Sequence, residues 1–321
     1  MSDIGIIGAG SFGTALAISL AKENHNVNLW ARSETQIKEM LELNENKKFL
    51  PGITFPKTLR PILDFRDLEC CSIILIAIPT QSLNQFFLLH DFKFNNLPVV
   101  ACCKGAELET GDLPTEIIKR YLPNNEVLVL TGPGFASELA LGKPTAMSLG
   151  SDRSETNIQK MLSSKTLRLY QSDDLIGLQL GGALKNVIAI ACGMVMGAGL
   201  GESARASLMT RGFAEMIRFA KEKGANPDTL MGLSGFGDLS LTCNSKKSRN
   251  FSYGFSLTSE NLLSGSNTVE GIKTSHIIAQ QAADLGVDMP ITNMISRVLK
   301  NELTTNHAID QLLSRPLKQE I

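Results

Sequence analysis

The sequence predicts an α/β domain followed by an all-α domain, because its hydrophobic pattern changes about halfway along the chain. Up to about residue 170, short runs rich in Ile, Val and Leu alternate with amphipathic stretches. These runs are apolar throughout, which is typical of parallel strands covered by helices on both faces. Beyond residue 171, longer apolar runs at helical spacing are interrupted by Gly and Pro. We therefore expect a doubly wound, mostly parallel sheet of the Rossmann type in residues 1–171 and a helical domain in residues 172–321.

Several apolar runs of the first half are candidate strands. They are Ile4–Ile7, Val27–Trp30, Ile73–Ile78, Val99–Cys102, Val127–Leu130, Ala146–Leu149 and Leu167–Tyr170. In open α/β sheets, ligands bind at the edge formed by the carboxyl ends of the strands. No low-complexity linker separates the two halves, so we expect them to pack closely with a cleft at their boundary.

The second half contains the apolar run Val187–Leu200, which is too short to span a bilayer. Two polar residues, Lys185 and Asn186, lie just before this run. We interpret the segment as a buried helix and expect no membrane span.

The composition limits the kinds of partner. A formal net charge of -1, with 43% hydrophobic and 20% charged residues, is typical of a globular protein and argues against nucleic-acid binding. The six cysteines include two adjacent pairs, with no C-x-x-C and no Cys/His cluster at zinc spacing, so we expect no metal and a reducing compartment. The N-terminus has no basic leader or apolar signal segment, which favours a cytoplasmic location.

A glycine pattern at the N-terminus indicates a dinucleotide site. The first candidate strand is followed by Gly8, Gly10 and Gly13 in G-x-G-x-x-G spacing and then by a helix-forming run. In this setting Gly8 permits the tight turn, Gly10 lets the backbone approach the pyrophosphate, and Gly13 lets the helix pack near the strand. The phosphates are expected at the helix N-terminus, where N–H groups favour negative charge.

The second strand is followed by Arg32, where an NAD-selective site usually has an acidic residue. A guanidinium there can pair with the 2′-phosphate of NADP or stack on adenine, so we expect NADP to be accepted as well as NAD. The alternative is a solvated arginine at the end of a strand.

Two lysines are candidates for the chemistry. Lys185 lies in a predicted helix that is otherwise apolar and small on every face, where desolvation lowers a lysine pKa toward the range useful for proton transfer. Lys104 follows a strand at the ligand-binding edge, and Gly105 beside it permits close approach. The alternatives are a structural lysine with its charge at the surface and an ordinary exposed lysine.

Two further segments are candidates for anion binding. Thr131–Ala136 follows a strand and offers backbone N–H groups, although it can equally be a simple strand-to-helix turn. Lys246–Asn250 is the only dense basic run, and its arginine with neighbouring Ser and Asn donors suits a phosphate monoester. The alternative for this run is a solvated helix face.

These pieces, in this order, resemble the glycerol-3-phosphate dehydrogenase family over nearly the whole chain. The resembling segments are GAGSFGTALA at 8–17, CKGAE at 103–107, GPGFASE at 132–138, GGALKNVIAIA at 181–191, TRGFAEM at 210–216, GDLSLTC at 237–243, SRN at 248–250 and VEG at 269–271. The resemblance implies a Rossmann domain joined to a helical domain, a cytosolic homodimer, and NAD(P)-linked interconversion of dihydroxyacetone phosphate and sn-glycerol 3-phosphate for phospholipid synthesis.

The resemblance also implies roles for individual residues. It makes Lys185 the general acid/base, with Lys104 beside the substrate and Asp238 and Thr242 bordering the catalytic lysine. Ser248, Arg249 and Asn250 would hold the phosphate, and Gly132 and Gly134 would form the substrate loop. The positions matched to the cofactor, besides the glycines, are Ser11, Phe12, Arg32, Lys104, Ala136, Arg249 and Glu270.

The chain departs from the family pattern at two positions. Gly134 stands where the family commonly has Ser, so only backbone can serve there, and Phe12 stands where Trp is frequent, which removes an N–H donor. Two other functions stay open on sequence grounds. One is a β-hydroxyacid or ketopantoate-type reductase acting on a carboxylate, and the other is a non-catalytic redox sensor that binds NAD(P)H.

Overall fold

The computed structural model describes residues 2–90, 96–153, 156–259 and 269–313. Its first half contains one eight-stranded sheet in the order β3-β2-β1-β4-β5-β6-β7-β8. The strands are β1 (Asp3–Ile7), β2 (Asn26–Trp30), β3 (Leu59–Ile62), β4 (Ile73–Ile76), β5 (Val99–Ala101), β6 (Val127–Thr131), β7 (Thr145–Gly150) and β8 (Leu167–Ser172). The predicted fold class is confirmed, since all neighbouring strands pair in parallel except β6 and β7, which pair antiparallel.

The strand predictions match the structure apart from one omission and differences of one or two residues at several strand ends. All seven predicted strands form, but β4 ends at Ile76 rather than Ile78. The strand β3 was not predicted from sequence, because it is short and contains Arg60 and Pro61. It lies at the edge of the sheet, which is where a strand tolerates proline.

Helices cover both faces of the sheet. They are α1 (Ser11–Lys22), α2 (Glu34–Leu43), α3 (Leu83–Leu89), α4 (Pro114–Tyr121), α5 (Ala136–Ala140) and α6 (Thr156–Leu162). Two apolar clusters result. One joins the sheet to Leu16 and Ile18 of α1, and the other joins it to Phe86 of α3 and Ile117 of α4. The doubly wound arrangement leaves the carboxyl ends of β1, β2, β4, β5 and β6 along one edge.

The second half is helical, as predicted. Its helices are α7 (Leu175–Gly197), α8 (Glu202–Glu222), α9 (Pro227–Met231), α10 (Asp238–Cys243), α11 (Arg249–Thr258), α12 (Glu270–Asp284), α13 (Pro290–Leu299) and α14 (Thr305–Leu313). The predicted buried helix is α7, the one described helix that is long and apolar enough to cross a membrane. Of the 18 residues in its most apolar stretch, 89% are buried, so α7 forms the centre of the helical core.

Glycines let α11 lie directly on α7. An ideal Cβ at Gly193 would come 2.0 Å from the carbonyl oxygen of Phe251, and one at Gly254 would come 2.0 Å from that of Ile190. Such distances are far below van der Waals contact, so the two backbones meet without side chains between them. This close crossing fixes the N-terminus of α11 relative to the central helix.

The two halves share α7. The sheet ends at Ser172 and α7 begins at Leu175, yet Leu178 of α7 packs in the apolar cluster beneath the sheet. Gln179 adds polar contacts, since its amide oxygen accepts from the Thr115 backbone N–H at 2.9 Å. The division of the chain at residue 171 stays a prediction.

Candidate functional site

The glycine turn after β1 has the close contacts that its spacing predicts. Gly8 adopts a φ of +112°, and its N–H donates to the carbonyl of Trp30 at 3.0 Å. A Cβ at Gly13 would lie 2.0 Å from the Gly8 carbonyl oxygen, so only glycine lets α1 start this close to the strand. By contrast, a Cβ at Gly10 would meet nothing within 4 Å. Gly10 therefore borders open space at the helix N-terminus.

This cradle fits a dinucleotide pyrophosphate. Gly10 is the N-cap residue of α1 and has no side chain to cap the helix, so first-turn N–H groups are available to an anion. Ser11 donates its hydroxyl to the Phe49 carbonyl at 2.9 Å, while Phe12 packs partly buried against the core. The switch point between β1 and β4 places the turn where open α/β sheets bind nucleotides.

Two other proposed cofactor positions lie at the same edge of the sheet. Arg32 is exposed directly after β2, and the next residue, Ser33, caps α2 by accepting from the Gln36 N–H. Ala136 is the first residue of α5, which follows β6. Both residues therefore follow the carboxyl end of a strand, and both are at least partly exposed.

The chemistry candidates form one charged cluster across the two halves. The Lys185 ammonium donates to Asp238 Oδ1 at 2.7 Å and to the Thr242 hydroxyl at 2.7 Å. The Lys104 ammonium donates to Asp238 Oδ2 at 2.6 Å and to the Gly132 carbonyl at 3.2 Å. One carboxylate therefore bridges a lysine from the sheet half and a lysine from the helical half.

Burial and charge shift the pKa values in this cluster. Burial lowers the pKa of Lys185 to about 8, and the attraction of Asp238 only partly opposes this effect. Burial alone would raise the pKa of Asp238, but the positive charges of Lys104 and Lys185 outweigh it and hold that pKa below its usual range. The result is an ionised carboxylate beside a lysine that can give up or take a proton near neutral pH.

A π-helical turn delivers Asp238 to the two lysines. The segment Leu233–Gly237 forms this turn, and the Gly237 N–H donates to the Gly232 carbonyl at 3.0 Å. The sequence pattern predicted only a break at these glycines, because their spacing does not distinguish a loop from a wide helical turn. The turn runs directly into α10, whose first residue is Asp238.

The loop after β6 is set by Gly132. This residue has a φ of +146°, and its Cβ would lie 2.9 Å from Met147 Cα, so a side chain is excluded. Gly134 is different, since an ideal Cβ there would contact only Thr145 Cγ2, at 3.3 Å. The loop can therefore accept the serine that the family commonly has if the Thr145 methyl group moves by a few tenths of an ångström.

The SRN segment forms the N-terminus of α11. Ser248 is the N-cap residue, and its hydroxyl accepts from the Phe251 N–H at 3.2 Å. Arg249 is 56% exposed and lies 3.8 Å from Glu270 Oε1 at the start of α12. The Asn250 amide bonds to Asn186 at 2.9 Å and accepts from the Gly271 N–H at 2.9 Å.

The structure identifies partners that sequence reasoning missed. Asn186 follows Lys185 on the central helix and joins it to Asn250. The same signal that singled out Lys185, a buried polar residue in an apolar helix, could have found it. Lys247 belongs to the basic run that was a candidate for phosphate binding, with a solvated helix face as the alternative. It instead pairs with Glu138 at 2.6 Å and lies over the Phe135 ring. No pattern in the sequence indicates that long-range pair.

The predicted site residues thus fall into three neighbouring groups. The lysine cluster joins Lys104, Lys185, Asp238 and Thr242, and Asn186 links it to the SRN segment and Glu270. The glycine turn, Arg32 and Ala136 lie at the ends of the strands. Within the described ranges, no group of three or more His, Cys, Asp or Glu side chains could hold a metal ion.

Comparison with known proteins finds matches to one family over most of the chain. Residues 3–157 match the model of the NAD-dependent glycerol-3-phosphate dehydrogenase N-terminus, and residues 174–310 match that of its C-terminus. Glycerol-3-phosphate dehydrogenase [NAD(P)+] from Ruegeria sp. (strain TM1040) is 48% identical over 99% of both chains, and that from Paracoccus denitrificans is 46% identical over 99% of both.

A solved structure agrees as well. Glycerol-3-phosphate dehydrogenase from Coxiella burnetii superposes with a TM-score of 0.91 at 34% identity, covering 98% of this chain and 99% of its own. Two domain models and full-length relatives point to the same group. The chain belongs to the NAD-dependent glycerol-3-phosphate dehydrogenase family.

Proposed function

We propose that this chain reduces dihydroxyacetone phosphate to sn-glycerol 3-phosphate with NAD(P)H and catalyses the reverse oxidation, with Lys185 as the general acid/base. The observation that supports this role best is the buried Lys185 ammonium, held by Asp238 and Thr242, with a pKa lowered to about 8. A lysine poised near neutral pH can donate a proton in one direction and accept it in the other.

The cofactor lies on the glycine turn in this proposal. Gly8, Gly10 and Gly13 together with the N-terminus of α1 would hold the pyrophosphate, and Ser11, Phe12 and Ala136 would contact the remainder of the cofactor. When bound, NAD(P)H supplies the hydride that reduces C2 of the ketone. Arg32 is exposed directly after β2, where its guanidinium could pair with the 2′-phosphate of NADP, and we propose that both NADP and NAD are used.

Lys185 and its neighbours handle the proton and the developing charge. In the direction of reduction, Lys185 donates a proton to the oxygen on C2 as negative charge forms there. Asp238 keeps the ammonium in place, and Thr242 orients it through a second hydrogen bond. Lys104 lies on the other carboxylate oxygen and contributes positive charge beside the substrate.

The phosphate group of the substrate is held at the start of α11. Arg249 is exposed there, and the first-turn N–H groups of a ten-residue helix favour an anion. Ser248 and Asn250 keep this turn in place, since the Ser248 hydroxyl caps the helix and the Asn250 amide binds Asn186 next to the lysine cluster. In this proposal Gly132 and Gly134 would form the substrate loop, and Glu270 would contact the nicotinamide end of the cofactor.

The remaining parts of the proposal concern the cellular setting. The family's substrate is a small phosphate ester, and we propose that the product is used for phospholipid synthesis. We also propose a cytoplasmic homodimer that binds neither nucleic acid nor metal. A β-hydroxyacid or ketopantoate-type reductase and a non-catalytic sensor are less well supported, because both halves of the chain match models of glycerol-3-phosphate dehydrogenase.

The assay that tests this proposal follows the absorbance of NADPH and, separately, of NADH on addition of dihydroxyacetone phosphate, with a 2-keto acid as control. We expect oxidation of the cofactor only with the phosphate ester, and inorganic phosphate should inhibit. A Lys185→Ala variant should lose at least about 100-fold in kcat, the usual scale for general acid catalysis, whereas Lys165→Ala at an exposed site should not. Turnover of the keto acid alone, or near-normal kcat for Lys185→Ala, would contradict the proposal.

A further inference from the structure

The turn after β4 contacts the segment that carries Lys104. Thr80 and Gln81 begin a short 3-10 turn, Thr80–Ser82. The Thr80 hydroxyl donates to the carbonyl of Lys104 at 2.8 Å. Gln81 Nε2 donates to the Ala106 carbonyl at 2.6 Å, and Gln81 Oε1 accepts from the Leu108 N–H at 3.1 Å. These bonds hold the backbone of residues 104–108 at three points.

The backbone at Gly105 also lies close to α12. Gly105 adopts a φ of +106°, and an ideal Cβ on it would lie 3.3 Å from the Thr274 hydroxyl oxygen on α12. Thr80 itself is 4% exposed, so water competes poorly for its hydrogen bond. The start of the Lys104 side chain is therefore held by the turn after β4, with α12 close beside it.

A displacement of the backbone at Lys104 would also displace the ammonium group at the end of its long side chain. Lys104 lies in the segment after β5, and its ammonium donates to Asp238 Oδ2 at 2.6 Å and to the Gly132 carbonyl at 3.2 Å. A long, flexible side chain reaches a defined position only if its backbone is fixed, and displacements of about 1 Å at a reacting centre cost up to about 100-fold in rate.

We propose that Thr80 and Gln81 are positioning residues that set where the Lys104 ammonium lies during the reaction. They do so through the backbone of residues 104–108 and do not touch the substrate. This inference rests on the proposed function, in which Lys104 contributes charge beside the phosphate ester. The two side chains would then tie the carboxyl ends of β4 and β5 together for a catalytic rather than a purely structural purpose.

The experiment is a double-mutant cycle between Thr80→Val and Lys104→Met. Valine keeps the shape of threonine but cannot donate to the Lys104 carbonyl. We expect Thr80→Val to lower kcat/KM for dihydroxyacetone phosphate by about 5- to 20-fold in the wild-type background. In the Lys104→Met background the same change should lower kcat/KM by less than about 2-fold, because no ammonium remains to be positioned.

Matched variants separate positioning from a general loss of structure. Thr80→Ser keeps the donor and should retain kcat/KM within about 2-fold if the hydrogen bond is what matters. Thr58→Val makes the same change at a threonine whose hydroxyl donates to the Ala21 carbonyl at 2.9 Å, at the other end of α1, and should leave kcat/KM unchanged. Gln81→Met should resemble Thr80→Val, and thermal unfolding of each variant shows that the comparison uses folded protein.

The outcomes distinguish this inference from the function on which it rests. If Lys104→Met is strongly impaired but Thr80→Val and Gln81→Met are not, the positioning role is wrong and the proposed role of Lys104 stands. Equal losses from Thr80→Val in both backgrounds would likewise assign Thr80 a merely structural role. If Lys104→Met itself has normal kcat/KM, both the role of Lys104 and the inference about Thr80 are wrong.

Discussion

Lys185 is held between two opposing electrostatic effects. Burial among the apolar residues of α7 lowers its pKa to about 8, and the nearby Lys104 charge acts in the same direction. The Asp238 carboxylate opposes both. Lys185 binds its proton more tightly in the unfolded chain than in the folded protein. Its charge therefore reduces the free energy of unfolding below pH 8, and this loss diminishes as pH rises from about 8 to 10.5. The fold thus tolerates a destabilising charge where the proposed chemistry needs a transferable proton.

This balance predicts opposite pH profiles for the two directions of the reaction. Reduction needs protonated Lys185, so kcat/KM for dihydroxyacetone phosphate should fall as pH rises through about 8. Oxidation of glycerol 3-phosphate needs the neutral amine, so its kcat/KM should rise through the same pH. Initial rates between pH 6 and 10 at constant ionic strength would measure both. Profiles that run in parallel, or a transition that persists in Lys185→Ala, would assign the proton transfer to another group.

The glycines of the N-terminal turn allow a second prediction at the scale of single residues. Gly10→Ala adds a methyl group that meets no protein atom within 4 Å, so thermal stability should stay near that of the wild type. The same methyl enters the space proposed for the pyrophosphate, and the Kd for NADPH should rise by about 10-fold or more. Energy transfer from Trp30, the only tryptophan, to the reduced nicotinamide gives this Kd directly.

Gly13→Ala is the matched comparison. Its Cβ would lie 2.0 Å from the Gly8 carbonyl oxygen, so this variant should lose stability as well as cofactor affinity. If Gly10→Ala binds NADPH as the wild type does, the pyrophosphate does not lie on this turn.

At the scale of whole elements, Glu215 on α8 holds the N-terminus of α13. It is 1% exposed, and its carboxylate accepts from the N–H groups of Ile291 and Thr292 at 2.7 and 3.1 Å and from the Thr292 hydroxyl at 3.1 Å. Burial raises its pKa, although these three donors oppose the effect. The carboxylate satisfies N–H groups that the start of a helix leaves without partners.

Removal of this contact should reduce stability without changing catalysis. Glu215→Ala leaves buried donors without an acceptor, so we expect the free energy of unfolding in urea to fall by about 2–4 kcal/mol. Glu215→Gln keeps one oxygen acceptor and should lose less. Glu222→Ala, at the exposed end of the same helix, serves as the control. A large fall in kcat/KM for folded Glu215→Ala, rather than in stability, would be unexpected because the side chain does not contact the lysine cluster.

The elements differ in how far the sequence predicts them. The continuous apolar pattern predicted every central strand and the buried helix α7, because burial on all sides leaves a strong signal. The edge strand β3 was missed because Arg60 and Pro61 interrupt that signal. The π-turn before Asp238 looked like a helix break, since glycine favours several backbone conformations and only tertiary packing selects one.

At the scale of the whole molecule, the proposed site is made from contacts that join distant parts of the chain. Asp238 meets Lys104 across 134 positions and Lys185 across 53, and Lys247 meets Glu138 across 109. Local patterns indicated that a buried lysine and a basic run needed explanation. They could not show which carboxylate lies between the lysines, so the roles of Asp238 and Thr242 came from family resemblance rather than from spacing.

Asp238 therefore contacts a lysine from each half. Changing it should alter the pKa of Lys185 as well as the contact between the two halves. Asp238→Asn removes the negative charge that raises the pKa of Lys185, so the fall in kcat/KM for ketone reduction should move to lower pH than in the wild type. Lys104→Met removes a positive charge that lowers this pKa, so the transition should move to higher pH.

The two shifts must have opposite signs if one carboxylate joins both lysines. Residual rates of the folded variants across pH 5–10 measure them, with Asp228→Asn at an exposed position of α9 as the control for an aspartate-to-asparagine change. Shifts in the same direction would mean that rearrangement of the two halves, rather than charge at Asp238, dominates. Opposite shifts would show that charges from both halves set the pKa of Lys185. The charge that lowers this pKa, on Lys104, lies in the sheet half, and the charge that raises it, on Asp238, lies in the helical half.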